Sequence, residues 1–156
     1  MSGGKVTGRL AELGITLPEA AKPIANYVPW VRTGNLVFIS GQGPVENGKV
    51  VYPGCLGKDV SLEEGAKSAR LCAINVLAQL KDAVGGDLDR VKRVVKLLGF
   101  VNSTADFKDH PKVINGASDL MVEVFGDKGR HARSAVASPS LPMGISTEVE
   151  AIIEVE

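Results

Sequence analysis

The 156 residues of the chain are enough for one domain with a sizeable core and too few for two ordinary domains. Hydrophobic residues make up 44% of the chain and charged residues 23%, a composition that excludes global disorder. Eighteen Lys and Arg residues balance eighteen Asp and Glu residues, so the strong positive charge of most proteins that bind duplex nucleic acid or membrane surfaces is missing. Nucleic acid is therefore not an expected partner.

The cellular setting is inferred from patterns that the sequence lacks. No stretch approaches the roughly 20 consecutive apolar residues that span a bilayer, and residues 1–9 lack the apolar core of a secretory signal. These features predict a cytoplasmic protein without a membrane segment. Cys55 and Cys72 have neither a CxxC spacing nor a suitably placed histidine, so we interpret both as structural thiols.

The N-terminal third predicts one short helix and two strands. Leu10, Leu13 and Leu17 recur at helical spacing over residues 2–17, with stop signals at Gly14 and Pro18, so residues 1–23 are expected to form a helical extension of a single domain. β-Branched and aromatic residues then flank a tight turn at residues 33–35. They predict strands over 27–31 and 36–40, the second ended by residues 41–44.

The middle of the chain predicts two helices around a central strand. Ser61 and Glu64 have capping-box spacing, and an apolar stripe follows until the glycine pair at 85–86, so a helix is predicted between them. The stripe consists of Ala69, Ala73, Val76, Leu80 and Ala83. Residues 91–101 are rich in valine and leucine and predict a central strand. Pro111 then opens a second helix, whose apolar stripe (Ile114, Ala117, Met121 and Val124) ends at Gly126.

The C-terminal segment alternates between apolar and polar residues, as a half-buried strand does. Apolar residues at 145, 149, 151, 153 and 155 are expected to face a core, and Ser146 and the glutamates at 148, 150, 154 and 156 to face away from it. The order of elements predicts an α+β fold in which a mixed sheet carries two main helices on one face. The carboxylate-bearing face is expected to meet another subunit.

Motifs for metals, phosphates and covalent serine chemistry are not found. The two histidines, His110 and His131, have no second ligand at metallohydrolase spacing, and no Walker-type loop, dinucleotide fingerprint or Gly-x-Ser-x-Gly elbow occurs. Neither a metal nor an organic cofactor is predicted. His131 is interpreted as a strand-end residue.

Arg133 and Glu148 are the candidate chemical pair. Both lie in segments predicted to be extended, and if those strands pair, the two side chains approach each other across the sheet. An arginine fork can grip a carboxylate, and a nearby glutamate can hold a water or move a proton. A structural ion pair, or two solvated strand charges, fits the same spacing.

An ordered set of short motifs resembles one known family. Tyr27 is followed by Ser40-Gly-Gln42, Gly99-Phe-Val-Asn102, Val113-Ile-Asn115, Ala132-Arg-Ser134, Leu141-Pro142 and Glu148-Val-Glu-Ala151. Over residues 24–155 this set resembles the reactive intermediate deaminase (Rid) family, also called the YjgF-like or L-PSP endoribonuclease family. The resemblance implies a chorismate-mutase-like fold. It also implies a homotrimer with a central barrel, helices outside and ligand clefts between subunits.

The resemblance also implies roles for individual residues. By position, Arg133 resembles the arginine that binds the substrate carboxylate, and Glu148 the acid that positions the attacking water. Tyr27 from a neighbouring subunit would line the cleft together with Ser40, Gly41 and Asn115. Ala135 is at a cleft position where many members of the family have cysteine, so a thiol role there is excluded. The implied reaction is hydrolysis of 2-imino acids to 2-keto acids and ammonia, without metal or cofactor.

Other interpretations stay open from the sequence. The chain could bind a small carboxylate as a regulatory module without turning it over, or act as an endoribonuclease, although it offers few aromatic side chains for base stacking. Tyr27 could pack at an interface, Gly41 could serve only backbone shape, and Asn115 could bond locally.

Overall fold

A computed structural model describes residues 4–23 and 25–156 of the chain. The α-helices are α1 (Lys5–Glu12), α2 (Leu62–Ala83) and α3 (His110–Phe125). The strands are β1 (Trp30–Thr33), β2 (Leu36–Gln42), β3 (Val45–Glu46), β4 (Lys49–Val50), β5 (Val91–Asn102), β6 (Ala132–Ser138) and β7 (Thr147–Val155). Short 3-10 turns cover Leu88–Arg90, Gly126–Gly129 and Pro142–Gly144. No helix in the described ranges is both long and apolar enough to cross a membrane.

Five strands form a mixed sheet in the order β1-β2-β7-β5-β6, and β3 and β4 form a separate small hairpin. Neighbours in the sheet are antiparallel except β5 and β6, which run parallel. A parallel pair needs a crossover connection, and α3 supplies it between these two strands. The sheet therefore has β1 at one edge and β6 at the other.

Helices α2 and α3 pack against one face of the sheet, and the core lies between the two layers. It is built mainly of aliphatic side chains that are fully buried, among them Val76, Leu77, Leu80, Leu97, Ile114, Leu120, Met121, Val149 and Ile153. The predicted α+β class, with two main helices on one face of a mixed sheet, is confirmed.

Helix α2 begins and ends where the sequence predicts. The Ser61 hydroxyl accepts a hydrogen bond from the Glu64 amide at 3.1 Å, and the Glu64 carboxylate accepts one from the Ser61 amide at 3.1 Å. These two bonds satisfy donors that the first turn of a helix leaves free. The helix ends just before Gly85 and Gly86, both of which adopt positive φ.

The N-terminal elements differ from the predicted bounds. Helix α1 is shorter than the predicted 2–17 because Gly14 takes φ +70 and ends it; residues 2 and 3 lie outside the described residues. Strand β1 begins at Trp30 instead of Tyr27, after Pro29, which has no amide hydrogen for a ladder. Strand β2 runs past residue 40 to Gln42, because an irregularity after Ile39 lets it pair again with β7.

At the start of the C-terminal strand one predicted orientation is wrong. The alternation predicts Ser146 on the polar face, but Ser146 is fully buried, and its hydroxyl lies 2.7 Å from that of Ser68 on α2. Regular alternation begins only at Thr147, where β7 starts, and from there odd-numbered residues face the core as predicted. A residue just outside a strand is not bound by the strand's period of two.

The helix-free face of the sheet is more apolar than the C-terminal strand suggests. Phe38 is 41% exposed and Val136 43% exposed on the other strands. A concavity of about 340 Å³ opens on this face between the first strands and the middle of the sheet. Its lining combines apolar side chains with Ser40, Lys96 and Glu150. The face thus mixes carboxylates with exposed apolar surface.

Candidate functional site

Arg133 lies on the edge strand β6 and reaches toward α3. Its register partner on β5 is Leu97, a fully buried core residue, so Arg133 is on the helix-bearing face. Nη1 of Arg133 donates to Oδ1 of Asn115 at 2.8 Å and to Oγ of Ser118 at 3.2 Å. Since Asn115 and Ser118 stand three apart on α3, they share the helix face above the strand. The guanidinium is thereby held on one side by two neutral groups.

The positive charge of Arg133 has no carboxylate partner within residues 4–23 and 25–156. The ion pairs of these residues involve other arginines and lysines. The hydrogen bonds of Arg133 use Nη1 alone, which leaves the edge formed by Nε and Nη2 available. That edge has the geometry for a two-point hydrogen bond to a carboxylate.

One of the two side chains that bind Arg133, Ser118, is held in turn by a further hydrogen bond. The Ser118 hydroxyl lies 2.9 Å from Nε2 of His131, and Nδ1 of the same ring lies 2.6 Å from the carbonyl oxygen of Gly129. His131 immediately precedes β6 and is partly buried. A continuous row of hydrogen bonds therefore runs from a backbone carbonyl to the guanidinium.

Glu148 lies on β7, on the helix-free face, in contact with Gly41. The strand pairing between β2 and β7 breaks between Ile39 and Gln42, where Ser40 and Gly41 lie. A β-carbon at residue 41 would overlap the Glu148 carboxylate, so a larger residue here would displace that carboxylate from its position. The amide and hydroxyl of Ser40 both donate to the Pro29 carbonyl, at 2.9 and 3.1 Å, which ties this part of β2 to the segment before β1.

The surroundings of Glu148 favour its protonated form. Partial burial raises the pKa of this carboxyl above its ordinary value, and the nearby Glu150 raises the pKa further. A carboxylate with a raised pKa is a stronger proton acceptor than one in water. Glu148 is thus suited to take a proton from a bound water.

Behind Glu148, a small polar cluster joins β7 to α2 inside the core. The Ser68 hydroxyl lies 2.6 Å from that of Thr147, which in turn lies 3.2 Å from Sγ of Cys72. Burial raises the pKa of the Cys72 thiol to about 12. The cluster therefore anchors the start of β7, while the thiol stays protonated.

The predicted site residues fall into two groups in one protomer. Arg133, Asn115 and Ala135 are at the β6 edge, with the arginine and asparagine joined directly and Ala135 partly packed against the core. Ser40, Gly41 and Glu148 belong to the other group. Tyr27 is 58% exposed, just before Val28 and Pro29, which line the helix-free concavity.

The predicted approach of Arg133 to Glu148 across one sheet is wrong within a protomer. Strand β5 lies between β6 and β7, so the two strands do not pair. Arg133 is opposite Leu97, whereas Glu148 is opposite Phe100. Since Leu97 and Phe100 are three residues apart on one strand, the two side chains point to opposite faces.

Ser118 is a neighbour of Arg133 that the sequence did not single out, and His131, interpreted as a strand-end residue, lies just before β6 and beside Ser118. His131, Arg133 and Ala135 are spaced by two, which places them on one face of an extended segment. Ser118 stands three after Asn115, which is same-face spacing on a helix. Both signals were present, but only the packing of α3 over β6 brings the two faces together. Across the described part of the chain, no three His, Cys, Asp or Glu side chains are grouped to hold a metal ion.

The fold is of the chorismate-mutase-like α+β class, as the description of the matching family model states, and solved structures share it. A solved protein of Agrobacterium tumefaciens with unknown function, Atu1372, matches with a TM-score of 0.91 and 50% identity, covering 97% of this chain and 92% of the other. A protein of Shewanella oneidensis described as a "putative endoribonuclease" matches with a TM-score of 0.93 and 38% identity, covering 97% of this chain and 100% of the other.

The family follows from the sequence. The model of the family described as "YjgF/chorismate_mutase-like, putative endoribonuclease" matches residues 7–154, and the chain belongs to this family. The resemblance to Rid proteins is thus confirmed, and the match begins inside α1. Protein TCP17 of Trypanosoma cruzi is 47% identical, covering 99% of this chain and 96% of its own. A 2-iminobutanoate/2-iminopropanoate deaminase of Dermatophagoides farinae is 29% identical, covering 91% and 95%.

Proposed function

We propose that this protein hydrolyses small 2-imino carboxylates to 2-keto acids and ammonia, in clefts between the subunits of a homotrimer. The observation that carries the proposal is the state of Arg133. Its guanidinium is bound by neutral partners through Nη1, has no carboxylate partner in the described residues, and keeps its Nε–Nη2 edge available. The name of the Dermatophagoides farinae relative supports this reaction class.

The proposed chemistry needs little beyond orientation and one proton acceptor. The carbon of a protonated imine is already electrophilic, so holding the substrate by its carboxylate and aiming a water at C2 lowers the barrier. Glu148 takes a proton as the water oxygen bonds to C2. Glu148 passes this proton to the nitrogen and then takes the proton of the new C2 hydroxyl as the C2–N bond breaks, so that ammonia leaves and the C=O bond of the 2-keto acid forms. The raised pKa of Glu148 suits this transfer.

A second copy of the chain is needed because one protomer holds the two groups on opposite faces. The β6 edge of one copy, set against the helix-free face of the next, would bring Arg133 to a neighbour's Glu148 and Tyr27. A head-to-tail contact of this kind closes into a ring of three when each copy is rotated by 120° from the last. The exposed apolar side chains of that face, such as Phe38, support burial between subunits.

A coupled assay tests the proposal. An amino-acid oxidase or a dehydratase generates 2-iminopropanoate or 2-iminobutanoate, and loss of the imine is followed with and without this protein. We expect faster loss with the native chain and no acceleration with Arg133→Ala. The matched control is Arg9→Ala, which removes an arginine that binds the Glu123 carbonyl and the Glu12 carboxylate. An Arg133→Ala variant as active as the native chain would overturn the proposal.

Two other activities give different outcomes in the same experiments. If imine loss is not accelerated while 2-ketobutyrate still raises the melting temperature, the chain is a carboxylate-binding module. The endoribonuclease description of the family favours RNA as a second candidate substrate. RNA cleavage that survives Arg133→Ala would support that activity and separate it from the imine site.

A further inference from the structure

The Ser118 hydroxyl lies between an imidazole and a guanidinium. Its oxygen is 2.9 Å from Nε2 of His131 and 3.2 Å from Nη1 of Arg133. Arginine nitrogens only donate hydrogen bonds, so the serine oxygen must accept from Nη1. The single hydroxyl proton of Ser118 is therefore free to point at His131.

The Gly129 carbonyl selects the tautomer of His131. A carbonyl oxygen only accepts, and Nδ1 lies 2.6 Å from it, so Nδ1 carries the proton. In the neutral ring Nε2 is then an acceptor, and it receives the Ser118 hydroxyl proton. All three bonds run in one direction, from the guanidinium to the serine, from the serine to the imidazole, and from the imidazole to the backbone.

We propose that Ser118 and His131 are positioning residues for the substrate-binding arginine, an inference that rests on the function proposed above. By holding Nη1 toward α3, they keep the Nε–Nη2 edge of Arg133 turned outward for a carboxylate. A free arginine side chain has many rotamers, and ordering it before the ligand arrives removes part of the cost of binding. Asn115 also accepts a hydrogen bond from Nη1, but it does not determine which way the Ser118 hydroxyl proton points.

The tautomer can be tested on the native protein without any variant. The chain has two histidines, and His110, whose Nε2 lies 3.3 Å from the Ser103 hydroxyl, makes no hydrogen bond to Arg133. Long-range ¹H–¹⁵N spectra, recorded well above the ordinary histidine pKa, distinguish a protonated Nδ1 from a protonated Nε2. We expect His131 as the Nδ1–H form. An Nε2–H ring would reverse the serine bond and overturn the proposal.

Binding measurements test the consequence. Calorimetric titration with 2-ketobutyrate should show roughly tenfold weaker binding for Ser118→Ala, because one hydrogen bond to a charged group is lost. His131→Leu should weaken binding by a similar factor, and His131→Gln, which keeps an acceptor, should restore part of it. His110→Gln is the matched control and should bind like the native chain. In the imine assay, KM should rise with little change in kcat, because the arginine holds substrate and transition state alike.

The outcomes separate this inference from the proposed function. If Arg133→Ala binds 2-ketobutyrate as tightly as the native chain, the proposed carboxylate site itself is wrong. If Arg133→Ala abolishes binding while Ser118→Ala and His131→Leu bind normally, the site stands and the positioning role is refuted.

Discussion

The two charged side chains of the candidate site are stabilised in opposite ways. Arg133 remains charged and is surrounded by neutral hydrogen-bond acceptors, which orient it without cancelling its charge. Glu148 is partly desolvated and lies near another carboxylate, which disfavours its ionised form. The surroundings of Glu148 disfavour its ionised form in an isolated protomer, and the two arrangements suit the binding of an anion and the transfer of a proton. At the residue scale, two features mark the candidate site. One is an arginine with no carboxylate partner among the described residues, and the other is a carboxyl group whose pKa is raised.

The first prediction at this scale concerns stability and pH. The folded-state pKa of Glu148 is raised, so on raising the pH the unfolded chain ionises this group first, and folding then becomes less favourable. Glu148→Gln should therefore raise the melting temperature at pH 7, and the gain should vanish below about pH 4, where both states are protonated.

Calorimetric melting curves across this pH range measure the effect. Glu150→Gln should raise the melting temperature less than Glu148→Gln does. It removes the charge of Glu150, the weaker cause of the raised pKa of Glu148, but leaves Glu148 partly buried. A Glu148→Gln variant that melts lower than the native chain by the same amount at every pH would contradict this account.

The second prediction concerns the two thiols. Cys72 is fully buried and burial raises its pKa to about 12, whereas Cys55 is partly exposed. Because the thiolate is the reactive form, a thiol reagent such as Ellman's should modify Cys55 in the folded protein and spare Cys72. In denaturant both should react. Cys55→Ser should show no rapid labelling when folded, and rapid labelling of that variant would show that Cys72 is accessible.

At the scale of elements, α2 and α3 touch through their backbones. A β-carbon at Gly116 on α3 would overlap the carbonyl of Ala66 on α2, which is main chain and unable to turn aside. The contact brings the α3 turn that carries Asn115 and Ser118 down against its neighbour. Glycine here is required by the close approach of two helices, not by an unusual φ.

Gly116→Ala should destabilise the protein by about 2 kcal/mol or more, since the two helices must separate to admit one methyl group. The matched control is Gly8→Ala in α1, where a β-carbon meets nothing within 4 Å. That change should be neutral or stabilise by up to about 1 kcal/mol, because alanine is the better helix former. Urea unfolding curves measure both, and equal stability of the two variants would show that the helices adjust freely.

At the scale of the whole molecule, the site that we propose needs a second copy of the chain. The helix face at the β6 edge holds Arg133, and the helix-free face of the same protomer holds Glu148. The sheet itself separates them. The proposed contact between subunits rests on this separation together with the apolar surface on the helix-free face, and the proposed number of three rests on the family resemblance.

Subunit complementation tests the shared site directly. Arg133→Ala and Glu148→Ala should each be inactive alone, but after co-refolding about a quarter of the clefts in randomly mixed trimers should regain both groups. Imine hydrolysis by the mixture measures this recovery. Refolding each variant alone is the control. No recovery in mixed assemblies of trimeric mass would mean that both groups act within one chain.

Part of this architecture could be predicted from the sequence because it depends on neighbours along the chain. The capping box of Ser61 and Glu64, the proline that opens α3 and the alternation of β7 from Thr147 all arise within a few residues. Local patterns of this kind determined the element types, their order and the face that each buries. Arg133 and Glu148 were recognisable as candidates for the same reason, since residue type and an ordered set of motifs belong to the chain itself.

Only the tertiary structure decided which of these residues meet. The position of β5 between β6 and β7 keeps the strands of Arg133 and Glu148 apart, and their register on β5 puts the two side chains on opposite faces. The packing of α3 over β6 puts Ser118 beside the guanidinium and His131 beside Ser118. Strand order and helix packing depend on burying the apolar surface of the whole chain together. A short segment of sequence therefore does not determine them. The sequence therefore determined which charged residues are candidates. Which residues contact them was determined by how all the helices and strands pack around one common core.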